Sequence, residues 1–255
     1  MAIQLSERDM MIFKFIEEHQ VLLEKHIAWF ISCDEKPVLI RDRLRKLFYL
    51  DYLLCQRHAG KLPWWTTPTK PLVYTLSGMA RGMVDGAECQ MDLTDTDIQR
   101  HLLEVANLRM IFLMDQKSGL ISDFRWNTNR TDDSRLALVP ATVTFSRNGS
   151  THRAALINNF GIAPDKVRDA SELAIAQGDV DMVWIISSDD IQQEKMQKAL
   201  LDSPVANRLA FATHQEIYKA GVVKSKWQSV NKIYAPVIAE SVVESINWNP
   251  TLATA

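Results

Sequence analysis

Residues 36–50, KPVLIRDRLRKLFYL, set the organisation of the whole chain. At helical spacing Ile40, Leu44, Leu47 and Phe48 form one apolar stripe. Asp42, Arg45, Lys46 and Tyr49 fall on the opposite face, with Arg41 and Arg43 on the flanks. The pattern predicts a helix buried on one side and basic on the other. Asp34 and Pro37 punctuate the turn before it, since Asp caps free amides and Pro suits a first helical position.

Upstream, Ser6 and Asp9 form a capping-box pair, and Leu5 and Met10 are placed as a hydrophobic staple. This predicts a first helix with Met10, Phe13 and Ile16 inward, fading near His19. Residues 21–23 read as a short extended link, and residues 24–31 as a second helix with Ile27, Phe30 and Ile31 inward. Phe13, Phe30 and Phe48 are read as core. Downstream, residues 52–56 and 72–76 are strand candidates around a loop containing Gly60, Pro63 and Pro68, and Ser77 opens a further helix. Three helices and then two strands around a wing is the order of a winged helix-turn-helix, whose third helix enters the major groove of DNA.

Charge supports the same expectation. The chain carries a net charge of −2, yet between residues 36 and 84 nine Lys or Arg face only two acids, Asp42 and Asp51. The wing holds Arg57, His58, Lys61 and Lys70, with no acidic residue between Tyr52 and Val84. Such a loop suits phosphates, where each neutralised charge releases condensed counterions. Arg41, Arg45 and Tyr49 are expected at base edges and Lys46, Arg57, Lys61 and Lys70 at phosphates, with Lys36, Arg43 and His58 completing the basic surface. Trp64 and Trp65 either stack on the nucleic acid or, as exposed aromatics more often do, pack against the second domain or a dimer partner.

The acidic, turn-rich residues 85–97 mark a domain boundary, giving a DNA-binding domain at 1–90 and an α/β domain at 91–255. The second domain reads as a long helix (96–116, with Leu102, Val105, Leu108, Ile111 and Phe112 inward), strands at 120–126, 136–145 and 152–158, and a helix at 164–176. Next come a fully apolar strand at 182–187, a helix at 189–201, a strand at 209–213 and a helix at 215–220, with a further strand candidate near Lys232. The fold class is α+β with a mixed sheet in the second domain.

The segment Leu5-Ser6-Glu7-Arg8-Asp9, the basic helix ending in residues 41–50, and Pro71-Leu72-Val73-Tyr74-Thr75-Leu76-Ser77-Gly78 resemble the N-terminal winged helix of the plasmid replication-relaxation family, which includes mobilisation-C type relaxases. The match covers the first third of the chain at residue level and the remainder by element order. The resemblance implies a restriction-endonuclease-like second domain of the PD-(D/E)XK kind, which holds Mg²⁺ or Mn²⁺ between strand-end carboxylates to activate water on a phosphodiester. Here Pro140 is followed by Ala141 where the family has an acid, and Ala155-Leu156-Ile157-Asn158-Asn159 stands where a pair of acids would be. Asp123, Asp132, Asp133 and Asp165 are the displaced carboxylates nearby. The domain is therefore expected to be a catalytically inactive scaffold for dimerisation or docking, the alternative being a metal-dependent nickase of plasmid mobilisation.

Other chemistry finds no support. Cys33, Cys55 and Cys89 are too scattered for a disulfide framework or a zinc site, no H-E-x-x-H exists, and no G-x-x-x-x-G-K-[ST], G-x-G-x-x-G or G-x-S-x-G is present. No run approaches a membrane span and no secretory leader is visible. The expectation is a cytoplasmic, non-enzymatic, sequence-specific double-stranded DNA-binding protein without cofactor. It would act as a homodimer or higher oligomer, as a transcriptional regulator or an origin-binding factor. Residues 127–130, Arg147 and Arg153 are candidates for extra phosphate contacts, a solvated hairpin being the favoured reading. A protein-interaction module is the third possibility.

Overall fold

Ser6 and Asp9 cap one another at the start of helix α1 (Glu7–His19): the Ser6 amide donates to the Asp9 carboxylate at 2.7 Å and the Asp9 amide to Ser6 Oγ at 3.4 Å. The computed structural model describes residues 4–33, 37–84, 93–129 and 133–231. The chain divides into two compact units, Met1–Leu113 and Met114–Ala255.

In the first unit α1 is followed by β1 (Leu22–Leu23), α2 (Glu24–Ser32), α3 (Pro37–Tyr49), β2 (Leu53–Arg57), β3 (Leu72–Leu76) and the short α4 (Gly78–Arg81). The three strands form an antiparallel sheet in the order β1-β3-β2, with Tyr74 of the central strand opposite both Leu22 and Cys55. Phe13, Ile16, Ile27, Ile40, Leu44 and Leu47 form the centre of the core at the helical spacing read from the sequence, joined by Ile12, which that reading passed over, while Met10 is only partly buried. Phe48 does not join it and is 40% exposed. The stripe through 40, 44 and 47 would continue at 51, past the helix end, so position 48 lies on its flank.

Helix α5 (Thr96–Lys117) explains why the first unit extends to Leu113, beyond the boundary expected at 90. Leu103, Ala106 and Met110 are buried in clusters of the first unit. Arg109 pairs with Glu18 at 2.8 Å and lies over the Phe30 ring, 4.9 Å from its centre. Residues 85–92 of the expected linker lie outside the described residues.

The second unit carries β4 (Ser122–Thr128), β5 (Ala141–Arg147), β6 (Ser150–Asn159), α6 (Pro164–Ala176), β7 (Met182–Ser187), α7 (Asp190–Ala199), β8 (Leu209–Thr213) and α8 (His214–Ala220). Its five-stranded sheet runs β4-β5-β6-β7-β8, antiparallel through β6 and parallel from β6 to β8. The architecture is thus mixed α and β, with eight helices and a mixed sheet among the described residues. β7 is buried along its whole length, as a strand covered on both faces requires. The strand expected over 136–145 divides: Leu136–Leu138 is a 3₁₀ turn and β5 starts only after Pro140, which has no amide to give to a ladder. Among the described residues no helix is long and apolar enough to cross a membrane. The strand candidate near Lys232 lies outside the described residues.

Candidate nucleic-acid interface

With Ile40, Leu44 and Leu47 buried, the opposite side of α3 is left to solvent. Tyr49 is 74% exposed, and Arg41, Asp42, Arg45 and Lys46 are exposed beside it. The four cationic candidates on this helix are held differently. Arg41 donates through Nε to both carboxylate oxygens of Glu24 at 3.0 and 3.2 Å, and Glu24 holds the Arg41 guanidinium above its ordinary pKa. Arg45 pairs with Asp42, one turn away at 3.9 Å, and both side chains are more than half exposed. Lys46 stands in solvent.

Arg43 corrects the sequence reading. Its guanidinium turns inward onto the wholly buried Asp9 and serves the fold. Lys36 lies outside the described residues.

The loop between β2 and β3 keeps Arg57, Lys61 and Lys70 exposed, and Arg57 Nη1 donates to the Lys70 carbonyl at 3.3 Å, bracing the two ends of the loop. His58 is a second correction: it is fully buried and donates through Nδ1 to Gln99 of α5 at 2.9 Å, so it cannot reach a polyanion. Close packing there requires Gly60, because a Cβ at that position would stand 2.5 Å from Thr96 Cγ2 and 2.8 Å from His58 Nε2. Trp64 and Trp65 pack against a cluster of Val21, Leu23, Leu62, Val73 and Leu103, all within the first unit, and Trp65 Nε1 donates to the Thr69 carbonyl at 2.7 Å. Their apolar surface is thus partly satisfied at home.

Behind these groups lies a cavity of about 600 Å³, bounded by the first turns of α2, by Arg41, and by both ends of the β2–β3 loop. Sequence reasoning missed its Lys25 and Trp29, because nothing in the linear pattern of α2 announces a concave surface.

In the second unit the metal positions implied by the resemblance hold neutral groups in use elsewhere. Ala141 is buried at the start of β5. Asn158 Oδ1 accepts from His214 Nε2 at 2.5 Å, and Tyr218 donates its hydroxyl to His214 Nδ1 at 2.8 Å. Asn159 donates to Ser187 Oγ at 3.2 Å and accepts from the Ile162 amide at 3.2 Å. These residues do not fit a divalent ion, which needs anionic oxygen. Of the displaced acids, Asp123 and Asp165 are exposed, and Asp133 pairs with Arg135 at 2.8 Å, which holds its carboxyl below the ordinary value; Asp132 lies outside the described residues. Among the described residues no group of three or more His, Cys, Asp or Glu could hold a metal ion. Arg153 is tied to Asp181 at 2.9 Å, and Arg130 lies outside the described residues. Compared with family models, with curated proteins and with solved structures, this chain finds no match.

Proposed function

We propose that the first unit is a winged helix-turn-helix that binds a specific double-stranded DNA sequence, α3 entering the major groove and the β2–β3 loop following the flanking backbone. One observation carries this: a helix buried on one side leaves Arg41, Arg45, Lys46 and Tyr49 exposed on the other, and the loop of the same unit adds exposed Arg57, Lys61 and Lys70 without a carboxylate. Arg45 is the best base reader, since its weak partner Asp42 is easily exchanged for guanine O6 and N7. Arg41 must first leave Glu24, so its contact to a base is partly offset by the lost pair.

The second unit, by resemblance the restriction-endonuclease-like domain of the replication-relaxation family, serves in this reading as a scaffold for dimerisation or docking. The role is transcription control or origin binding on a mobile element, in the cytoplasm. Selection from a random duplex library tests it: an enriched motif is expected, palindromic if the protein binds as a two-fold dimer. Retention of all sequences alike would overturn the reading. Supercoiled DNA carrying the selected motif should stay supercoiled with Mn²⁺, and a relaxed product would restore the nickase.

A further inference from the structure

The cavity of the first unit combines two features that seldom meet by chance in one concave surface. Four cations line it, Lys25, Arg41, Arg57 and Lys70, against the single carboxylate of Glu24. Two indoles, Trp29 and Trp65, line it as well. Its volume of about 600 Å³ lies within the range of pockets that enclose small ligands and exceeds what a lone inorganic anion would fill. Part of the wall is braced from within the unit: Glu24 pairs with Arg41, the Lys70 carbonyl accepts from Arg57, and the Thr69 carbonyl accepts from the Trp65 indole. A preordered pocket loses less entropy on binding.

We propose that this cavity binds a nucleotide-sized aromatic anion, its phosphate held by Arg57 and Lys70 and its ring against the partly exposed Trp65, with the buried Trp29 forming the floor. Guanidinium and ammonium groups select phosphate by charge-assisted hydrogen bonds, and any nucleobase offers a face to an indole. Arg41, Arg57 and Lys70 also belong to the proposed DNA face, so displacement of duplex by the ligand rests on that reading. Binding of the nucleotide does not rest on it and is measured with no DNA present.

The test is isothermal titration of the full chain with each of the four common nucleoside monophosphates and, separately, with inorganic phosphate. Saturable binding of at least one nucleotide is expected, with phosphate weaker by roughly tenfold or more, the effect of a lost stacking contact. Trp65→Leu should weaken the nucleotide by a similar factor. Because Trp65 also packs on the core, Arg57→Gln at an exposed position provides the second variant, with circular dichroism confirming that each is folded. Absence of binding at millimolar nucleotide, phosphate binding as tightly as nucleotide, or unchanged affinity in folded Arg57→Gln would each overturn the proposal. Loss of a DNA motif in the library selection would leave these results standing.

Discussion

Arg43 of α3 reaches across to Asp9 in the first turn of α1, its Nε donating to Asp9 Oδ1 at 2.6 Å and its Nη2 to the other oxygen. The carboxylate is fully buried and the guanidinium side chain only 25% exposed, so the pair joins two helices that are 34 residues apart between these positions. A charge abandoned in such a place is costly. Arg43→Ala should lower unfolding free energy by about 2–4 kcal/mol in urea titration, while Arg45→Ala, on the solvent side, should change it by less than about 0.5 kcal/mol.

The same pair sets an acid limit. Burial pushes the Asp9 carboxyl up, but bonds from Arg43 and from the Ser6 amide and hydroxyl outweigh it and hold it below its ordinary value. The folded pKa lies below the unfolded one, so the stabilisation is complete above the unfolded carboxyl pKa of about 3.9 and is lost as pH falls through the folded value. Denaturant midpoints measured below about pH 4 should therefore drop more steeply in the wild type than in Arg43→Ala.

His26 acts in a higher window. Buried throughout, it is pushed down to about 3, burial dominating over the weaker opposing influence of the Asn107 side chain. The unfolded imidazole takes a proton below about pH 6.5 and the folded one does not, so stability should fall by about 1.4 kcal/mol per pH unit as pH drops from there towards 3. His152 in the second unit, also pushed down by burial, contributes with the same sign. The difference between wild type and His26→Asn isolates the His26 share, and parallel curves would refute it.

On the proposed DNA face, Arg45→Ala should cost about 1–3 kcal/mol at one base pair and relax preference there. Lys61→Ala and Lys70→Ala should weaken all duplexes alike and each reduce the slope of log affinity against log salt by about 1. Fluorescence anisotropy on matched and mismatched duplexes at several salt concentrations distinguishes the two patterns. An unchanged site preference in Arg45→Ala would remove the base contact.

Gly221 ends α8 at φ +82°, and a Cβ there would stand 2.6 Å from Asp115 Oδ1. Asp115 meanwhile accepts from the Val222 and Val223 amides at 2.9 and 3.1 Å, so it cannot withdraw without orphaning them. Gly221→Ala should destabilise the second unit by roughly 1–3 kcal/mol, read as a lower thermal midpoint.

Periodicity and caps made most elements legible. β3, α6, β7 and β8 lie at the residues read from the sequence, because each is bounded by residues that stop or start it: Ser77 after β3, Pro164 as the first residue of α6, Ser187 at the end of β7 and Thr213 at the end of β8, capping α8. The ends of β5 and β6 were read short although Asn148-Gly149, with φ of +51° and +80°, is the two-residue turn that lets both strands run to the hairpin tip. At the interface, residue type located the cations but not their direction. Arg43 and His58 look like any basic residue until a buried Asp9 and a glutamine on α5, 41 positions along the chain, draw them inward. Such partners are distant in sequence and leave no periodic trace.

The change from antiparallel to parallel pairing at β6 has a kinetic consequence. The β5–β6 hairpin closes over two residues, a contact within reach on the microsecond scale. β6 can meet β7 only after α6 has been traversed, and β7 can meet β8 only after α7, so their pairing bears a larger loop-closure cost. The rate at which the second unit reaches its native state is therefore governed by the late arrival of β7 and β8. Substitutions that weaken the pairing of β7 with β8 should therefore slow folding of the second unit.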